Sequence, residues 1–254
     1  MPKISAVIIS YNEESYIEKC LGSLNGIADE IVIIDSYSTD STELICKKYN
    51  VRFISHEFEG YTEQKNFALS MATHKYVLSL DADEALSDEL RKSILEIKDD
   101  LRYDGYIFNR RNNYCGRWMK RSCLSPDRHL RLFDSSKGKW MGPNPHDSFQ
   151  LISGAKSLKL KGDMNHWNYS SYEDHMDKMN RFSTISAKEY FKEGRKAGPC
   201  KALFHMMWRF IRSFIVEAGF LNGYDGFTYS SITAWSAFLK YSKLRKLNSI
   251  EKKY

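Results

Sequence analysis

The 254 residues suffice for one large domain or a medium one with an appendage, and 42% apolar with 28% charged residues excludes a disordered chain. No window offers the ~20 uninterrupted apolar residues of a membrane span, and the N-terminal apolar stretch ends by Tyr11-Asn12 without a small-residue cleavage site. Neither a spanning helix nor an export signal is therefore expected, and a cytoplasmic location is the default. The net charge of +6 is uneven: residues 195–254 hold 11 Lys/Arg against 3 Asp/Glu, whereas residues 1–194 hold 27 against 29. A basic C-terminal segment of this kind suits a polyanion, either a nucleic acid or an anionic membrane surface.

Residues 4–10 form a continuous apolar run of strand length, followed by polar Tyr11-Asn12-Glu13-Glu14. Ile17, Cys20, Leu21 and Leu24 then recur at helical spacing. Residues 30–35 predict a second strand, and Asp40 or Ser41 caps a predicted helix reaching Tyr49. A third strand is expected over 51–55, a third helix over 61–72, a fourth strand over 76–80, and a helix capped by Ser87 through Ile97. Strands apolar on both faces alternating with helices predict an α/β fold, a Rossmann-like and mostly parallel sheet covered on each side.

Beyond residue 100, segments 105–110, 129–133 and 149–160 read as strands between Gly/Pro-containing loops, and the chain reads helical from Ser171 onward. The expected division is a catalytic domain over 1–168, with 105–168 on its acceptor side, and a helical region over 169–254. Leu203, Met206, Met207, Phe210, Ile211, Phe214, Ile215 and Ala218 make one apolar stripe. It fits a core-facing helix or an interfacial one with Trp208, Arg209 and Arg212 at headgroup level. A second helix is expected after Ser230-Ser231, with Lys240, Lys243, Arg245 and Lys246 beyond it and Lys252 and Lys253 at the end. These lysines are the candidates for contact with anionic lipid. No nucleic-acid-binding module is recognisable, so nucleic acid is not an expected partner. The five cysteines, including Cys115 and Cys123, are scattered and lack a Cys-x-x-Cys pair, which argues against a disulfide framework or zinc site.

In a doubly wound sheet, ligands bind beyond the carboxyl ends of the strands. Three polar clusters fall there: Tyr11-Asn12-Glu13, Asp35-Ser36 and Asp81-Ala82-Asp83-Glu84. A bend after Leu80 would aim Asp81 and Asp83 at one ligand, and hard cations such as Mg²⁺ or Mn²⁺ favour carboxylates together with phosphate oxygens and water. The plainer use of the same acids is a solvated loop before a helix N-terminus.

Residues 5–13, 33–42 and 80–84, in that order and at that spacing, resemble the family-two glycosyltransferases of the type-A fold. Leu130-Arg131-Leu132-Phe133, the Pro145-His146-Asp147 element and Gly219-Phe220-Leu221-Asn222-Gly223 resemble the subgroup that adds glucose or a related sugar to the heptose of the lipopolysaccharide inner core. The resemblance implies a nucleotide-sugar donor (a UDP-sugar), a divalent metal, a saccharide or lipid-linked saccharide acceptor, and attachment to the inner face of the plasma membrane. By the family pattern, Tyr11, Asn12, Glu13 and Asp35 hold the nucleoside, and Gln64-Lys65-Asn66 line the nucleotide pocket. Asp81 lies nearest the ribose and diphosphate, and Asp83 ligates the metal. Lys65 stands where Arg is common and serves as a point charge without Arg's flat fork. The usual His-Glu pair reads His146-Asp147, which makes Asp147 the implied base of an inverting displacement, with Asp127 its rival and one methylene less reach than Glu.

His166 fits either a structural histidine or one reaching the metal or diphosphate. Arg131, alternating with Leu130 and Leu132, fits a side chain facing the site and equally a solvated one. Transfer to a polyprenyl phosphate or another polysaccharide, and a non-catalytic sugar-nucleotide-binding protein, are the alternative functions.

Overall fold

The computed structural model describes residues 2–119, 127–144 and 147–251. Cys123, Pro126, Pro145, His146, Lys252 and Lys253 lie outside the described residues. The chain divides into two compact units, Met1–Arg111 with Asp127–Trp167 and Asn112–Pro126 with Asn168–Tyr254.

In the first unit, β1 (Ile4–Ser10), α1 (Ile17–Ser23), β2 (Glu30–Asp35), α2 (Thr42–Cys46), β3 (Arg52–Ser55), α3 (Tyr61–Ser70) and β4 (Tyr76–Asp81) alternate as the periodicity predicts. Then come β5 (Glu84–Leu86), α4 (Asp88–Lys98) and β6 (Gly105–Tyr114), whose last residues belong to the second unit and pair there with β7 (Arg117–Trp118). β8 (Asp127–Asp134), a hairpin of β9 (Gly138–Met141) and β10 (Ser148–Leu151), and β11 (Ser157–Tyr169) complete the strands. The sheet order is β3-β2-β1-β4-β8-β6-β11-β5. β1 to β4 are parallel, and β8 joins β4 antiparallel through Leu78↔Leu132.

Alternation along the parallel strands explains why both faces are covered. Ile4, Ala6, Ile8, Leu78 and Leu80 pack with α1 and α4, while Val7, Val32, Ile34 and Val77 pack with Ala68 of α3, Phe133, Trp140 and Phe149. Parallel register brings Ser10 beside Asp35 and Ile9 beside Asp81, so the polar ends of β1, β2 and β4 open on one edge.

Several boundaries differ from expectation. α2 stops at Cys46, short of Tyr49, and Ser41 makes no side-chain cap; Asp40 instead binds the Glu14 and Thr42 amides. Residues 149–160, expected as one strand, are broken by a turn at Gly154, whose φ of 84° suits glycine. Ser87 does cap α4, accepting from the Leu90 amide.

The second unit packs α5 (Tyr172–Lys192), α6 (Pro199–Ile211) and α7 (Gly223–Glu251). Between α6 and α7 the chain makes one wide π turn, Arg212–Val216, and a 3₁₀ turn, Gly219–Asn222. α7 starts earlier than expected, ahead of Ser230. A Cβ on Gly226 would lie 1.9 Å from the Gly219 carbonyl oxygen, so the 3₁₀ turn can sit against α7 only because residue 226 lacks a side chain. Among the described residues, no helix is long and apolar enough to cross a membrane.

Candidate active site

The loops after β1 and β2 are laced to each other. Asp35, buried at the end of β2, accepts from Ser10 Oγ (3.1 Å), the Ser38 amide (2.7 Å) and Ser38 Oγ (2.6 Å). The Asn12 amide donates to Ser38 Oγ at 2.8 Å, and Asn12 Oδ1 accepts from the Thr39 amide at 2.7 Å. The Glu13 amide donates to Thr42 Oγ1 at 2.8 Å. Asn12 and Tyr37 both sit at positive φ, 55° and 59°, conformations that this lacing holds in place. Tyr11 and Tyr37 remain exposed at the rim.

Helix α3 supplies the next wall. Gln64 Nε2 donates to Ser36 Oγ (3.1 Å), and Gln64 Oε1 faces His56 Nδ1 (2.9 Å), which fixes the helix against the end of β2. Asn66 turns to β9, where its amide pairs with both the Trp140 N–H (3.1 Å) and C=O (3.0 Å). Between them Lys65 is buried, its Nζ 3.3 Å from Asp81 Oδ1, 3.0 Å from Asp147 Oδ2 and 4.6 Å from the centre of the Trp140 ring. One ammonium thus joins the end of β4 to the residue just before β10.

Below this pair lies a second layer of charge. Arg131 on β8, only 2% exposed, places Nη2 at 2.7 Å from Glu84 Oε1 and 3.2 Å from Asp81 Oδ2. Glu84 is fully buried and also accepts the Asp81 amide at 3.0 Å, so one carboxylate closes the turn between β4 and β5. Arg131 is therefore not solvated but turned toward Asp81 and Glu84. Burial alone would discourage ionisation of Asp81, but the Lys65, Arg131 and Arg110 charges outweigh it and hold the carboxyl well below the usual range. Asp127 is bound by His129 Nε2 (2.6 Å) and Arg110 Nε (2.7 Å), which carry its pKa below the ordinary carboxylate range despite burial. Burial also depresses His129, against the pull of Asp127.

At the outer side of the same turn, Asp83 Oδ2 and His166 Nε2 are 3.3 Å apart. They meet because β11 pairs antiparallel with β5, setting His166 opposite Glu84, and because the Trp167 amide donates to the Asp83 carbonyl at 3.0 Å. A carboxylate oxygen and an imidazole nitrogen at this spacing can share one hard divalent ion. No group of three or more His, Cys, Asp or Glu among the described residues is arranged for a metal. Further ligands would therefore come from phosphate oxygens and water, which is the usual habit of Mg²⁺.

The expected residues thus gather into three adjoining groups: Asn12 with Asp35, Lys65 with Asp81 and Asp147, and Asp83 with His166. Arg110 was not singled out from the sequence, and Glu84 was named only as a member of the Asp81–Glu84 cluster, without a role of its own. The available signal was an acid opening a short apolar strand and an arginine one period of strand alternation beyond Phe108.

A parallel β3-β2-β1-β4 half with a polar carboxyl edge, continued by an antiparallel half that carries the basic residues, is the type-A glycosyltransferase architecture. Residues 5–156 match the family described as glycosyl transferase family 2, and the chain belongs to that family. It is 33% identical over 258 residues to an uncharacterized glycosyltransferase of Rickettsia typhi, covering 98% of this chain and 88% of that one. It is 29% identical over 262 residues to the lipopolysaccharide core biosynthesis glycosyltransferase LpsC of Rhizobium meliloti, covering 99% and 96%. Staphylococcus aureus TarS 1–349, solved in complex with UDP-GlcNAc, aligns with a TM-score of 0.48 at 16% identity over 99% of this chain and 92% of that one.

Proposed function

We propose that the chain is an inverting, metal-dependent hexosyltransferase that moves glucose or a related hexose from a UDP-sugar to a saccharide of the lipopolysaccharide core or another cell-envelope glycan. The observation that carries this reading is the Lys65 ammonium held between Asp81 and Asp147. It sets a point charge suited to a diphosphate beside a carboxylate suited to an acceptor hydroxyl. Similarity to LpsC over nearly the whole chain supports the core saccharide as acceptor.

In this reading the nucleoside lies on the laced loops of Tyr11, Asn12, Glu13 and Asp35, and Gln64 and Asn66 hold α3 so that Lys65 and Asp81 meet the diphosphate. Asp83 and His166 would hold the divalent ion, which when bound neutralises the diphosphate leaving group as a Lewis acid. A diphosphate arriving beside Asp81 competes with Asp147 for Lys65. Asp147 then accepts the proton of the acceptor hydroxyl while that oxygen bonds to the anomeric carbon. The anomeric C–O bond breaks on the opposite face, its electron pair leaves with UDP, and the configuration inverts. Asp127, already engaged by Arg110 and His129, is poorly placed to serve instead.

A panel of UDP-sugars with Mn²⁺ and core oligosaccharide acceptors tests the reading. Asp147→Asn should bind UDP at least as tightly as the parent, since the diphosphate no longer competes with a carboxylate for Lys65, and should cut transfer by about 10²- to 10⁴-fold. Full-rate transfer by that variant would reassign the base, and no transfer by the parent from any donor would overturn the reading.

A further inference from the structure

The apolar stripe of α6 is only partly used inside the protein. Ala202, Ser213 and Gly219 are the buried residues of this segment, whereas Phe204 is 66% and Met207 61% exposed. Trp208, Ile211, Ile215 and Val216 are exposed as well, so the outward side of α6 and of the wide turn after it is apolar along its length. Tyr224, 75% exposed at the start of α7, continues it. Folded chains rarely leave a contiguous apolar surface of this extent in water unless something covers it.

Charge indicates the cover. From residue 199 to 224 the cations are Lys201, Arg209 and Arg212, and the single acid, Glu217, is paired with Arg212 at 2.8 Å. Apolar and aromatic side chains flanked by basic ones fit the boundary between headgroups and acyl chains of an anionic membrane. A second copy fits less well, because a two-fold contact brings the same basic set from both copies into one interface, where the segment's single acid, Glu217, is already paired with Arg212. On the basic α7, the segment that the sequence pointed to, two of the cations are engaged within the second unit. Lys243 Nζ bonds Asn180, Ser183 and Thr184 of α5, and Lys240 lies over the Tyr190 and Tyr241 rings.

We propose that the outward face of α6 and the turn that follows it is a lipid-docking surface. Phe204, Met207, Trp208 and Ile211 enter the acyl boundary of an anionic bilayer, and Lys201, Arg209 and Arg212 meet its headgroups. The proposal does not depend on the transferase reading, since lipid binding is read without any sugar.

The test uses the full chain with vesicles of phosphatidylcholine alone and of phosphatidylcholine with phosphatidylglycerol. The parent should sediment with the anionic vesicles, and brominated acyl chains should quench its tryptophan fluorescence. A triple variant, Phe204→Ser with Met207→Ser and Trp208→Ser, should fold, as read by circular dichroism and melting, and bind at least about tenfold more weakly. Trp208→Tyr alone should keep binding but lose most of the quenching. Absence of parent binding, or equal binding by the triple variant, would overturn the proposal. So would a dimer of the parent, seen by sedimentation velocity without lipid, that the triple variant abolishes, since the face would then join two copies. Should the triple variant fail to fold, the Trp208→Tyr quenching result decides alone.

Discussion

Lys65 and Arg131 show how one buried cation can build a site and another can exploit it. Arg131 bonds to two carboxylates from below, and removing it would leave Glu84 and Asp81 as buried charges sharing too few partners. Breaking a buried ion pair from one side costs about 3–5 kcal/mol, so Arg131→Met should lower stability by that order in a denaturant titration. Lys65 differs in that Asp81 retains Arg131 when Lys65 is lost, although Asp147 then loses this cation and some stability with it. Lys65→Met should fold, and it should weaken UDP binding by about 10- to 100-fold, the worth of a charge-assisted hydrogen bond of roughly 1.5–3 kcal/mol. Calorimetric titration with UDP reads this directly. Unchanged affinity would leave Lys65 as an ion-pair partner of Asp81 and Asp147 only.

The join of β5, α4 and β11 fixes where His166 stands relative to Asp83. Ser87 Oγ accepts from both the Leu90 amide (3.2 Å) and the Asp163 amide (3.1 Å), clasping the helix start to β11. Gly162, at φ 88°, lies so close that a Cβ would fall 2.3 Å from the Leu90 nitrogen. Ser87→Ala should cost about 1 kcal/mol as a lost cap. Gly162→Ala should cost more, about 1–3 kcal/mol for the backbone conformation alone, and should weaken Mn²⁺-stimulated transfer by moving β11. Thermal melts and metal titrations of the two variants give the comparison. Ser87 was legible as a cap from the acids and apolar residues after it. Gly162 was not, since its need arises from α4, more than sixty residues away in sequence. The same contrast runs through the fold. β1, β2 and β4 are continuous apolar runs buried on both faces and announce themselves. The exposure of Phe204 and Met207 depends on what α6 packs against, which no spacing rule contains.

At the scale of the whole molecule the two units should answer acid differently. In the second, His175 is buried among the rings of Tyr114, Tyr169 and Tyr229, with Tyr114 Oη 3.0 Å from Nδ1. Burial pushes its pKa down to about 3, with Asp174 opposing and Lys178 assisting. An unfolded histidine titrates near about 6.5, so between these values the unfolded chain holds a proton that the native one does not. Stability of the second unit therefore falls as pH drops below about 6.5, by at most roughly 1.4 kcal/mol per pH unit. In the first unit the depressed groups include Asp81 and Asp127, whose contribution is intact above the unfolded carboxylate value, about 3.9, and is lost only as pH falls below it. His129 shifts in the same direction as His175, with Asp127 beside it opposing the burial only in part. Hydrogen exchange between pH 7 and 4.5 should accordingly show peptides of α5 and α7 losing protection before those of β1 and β4. His175→Asn, which keeps a polar atom near Tyr114 and removes the titrating group, should flatten that slope. If the slope persists in the variant, His175 is not the group that couples this unit to pH.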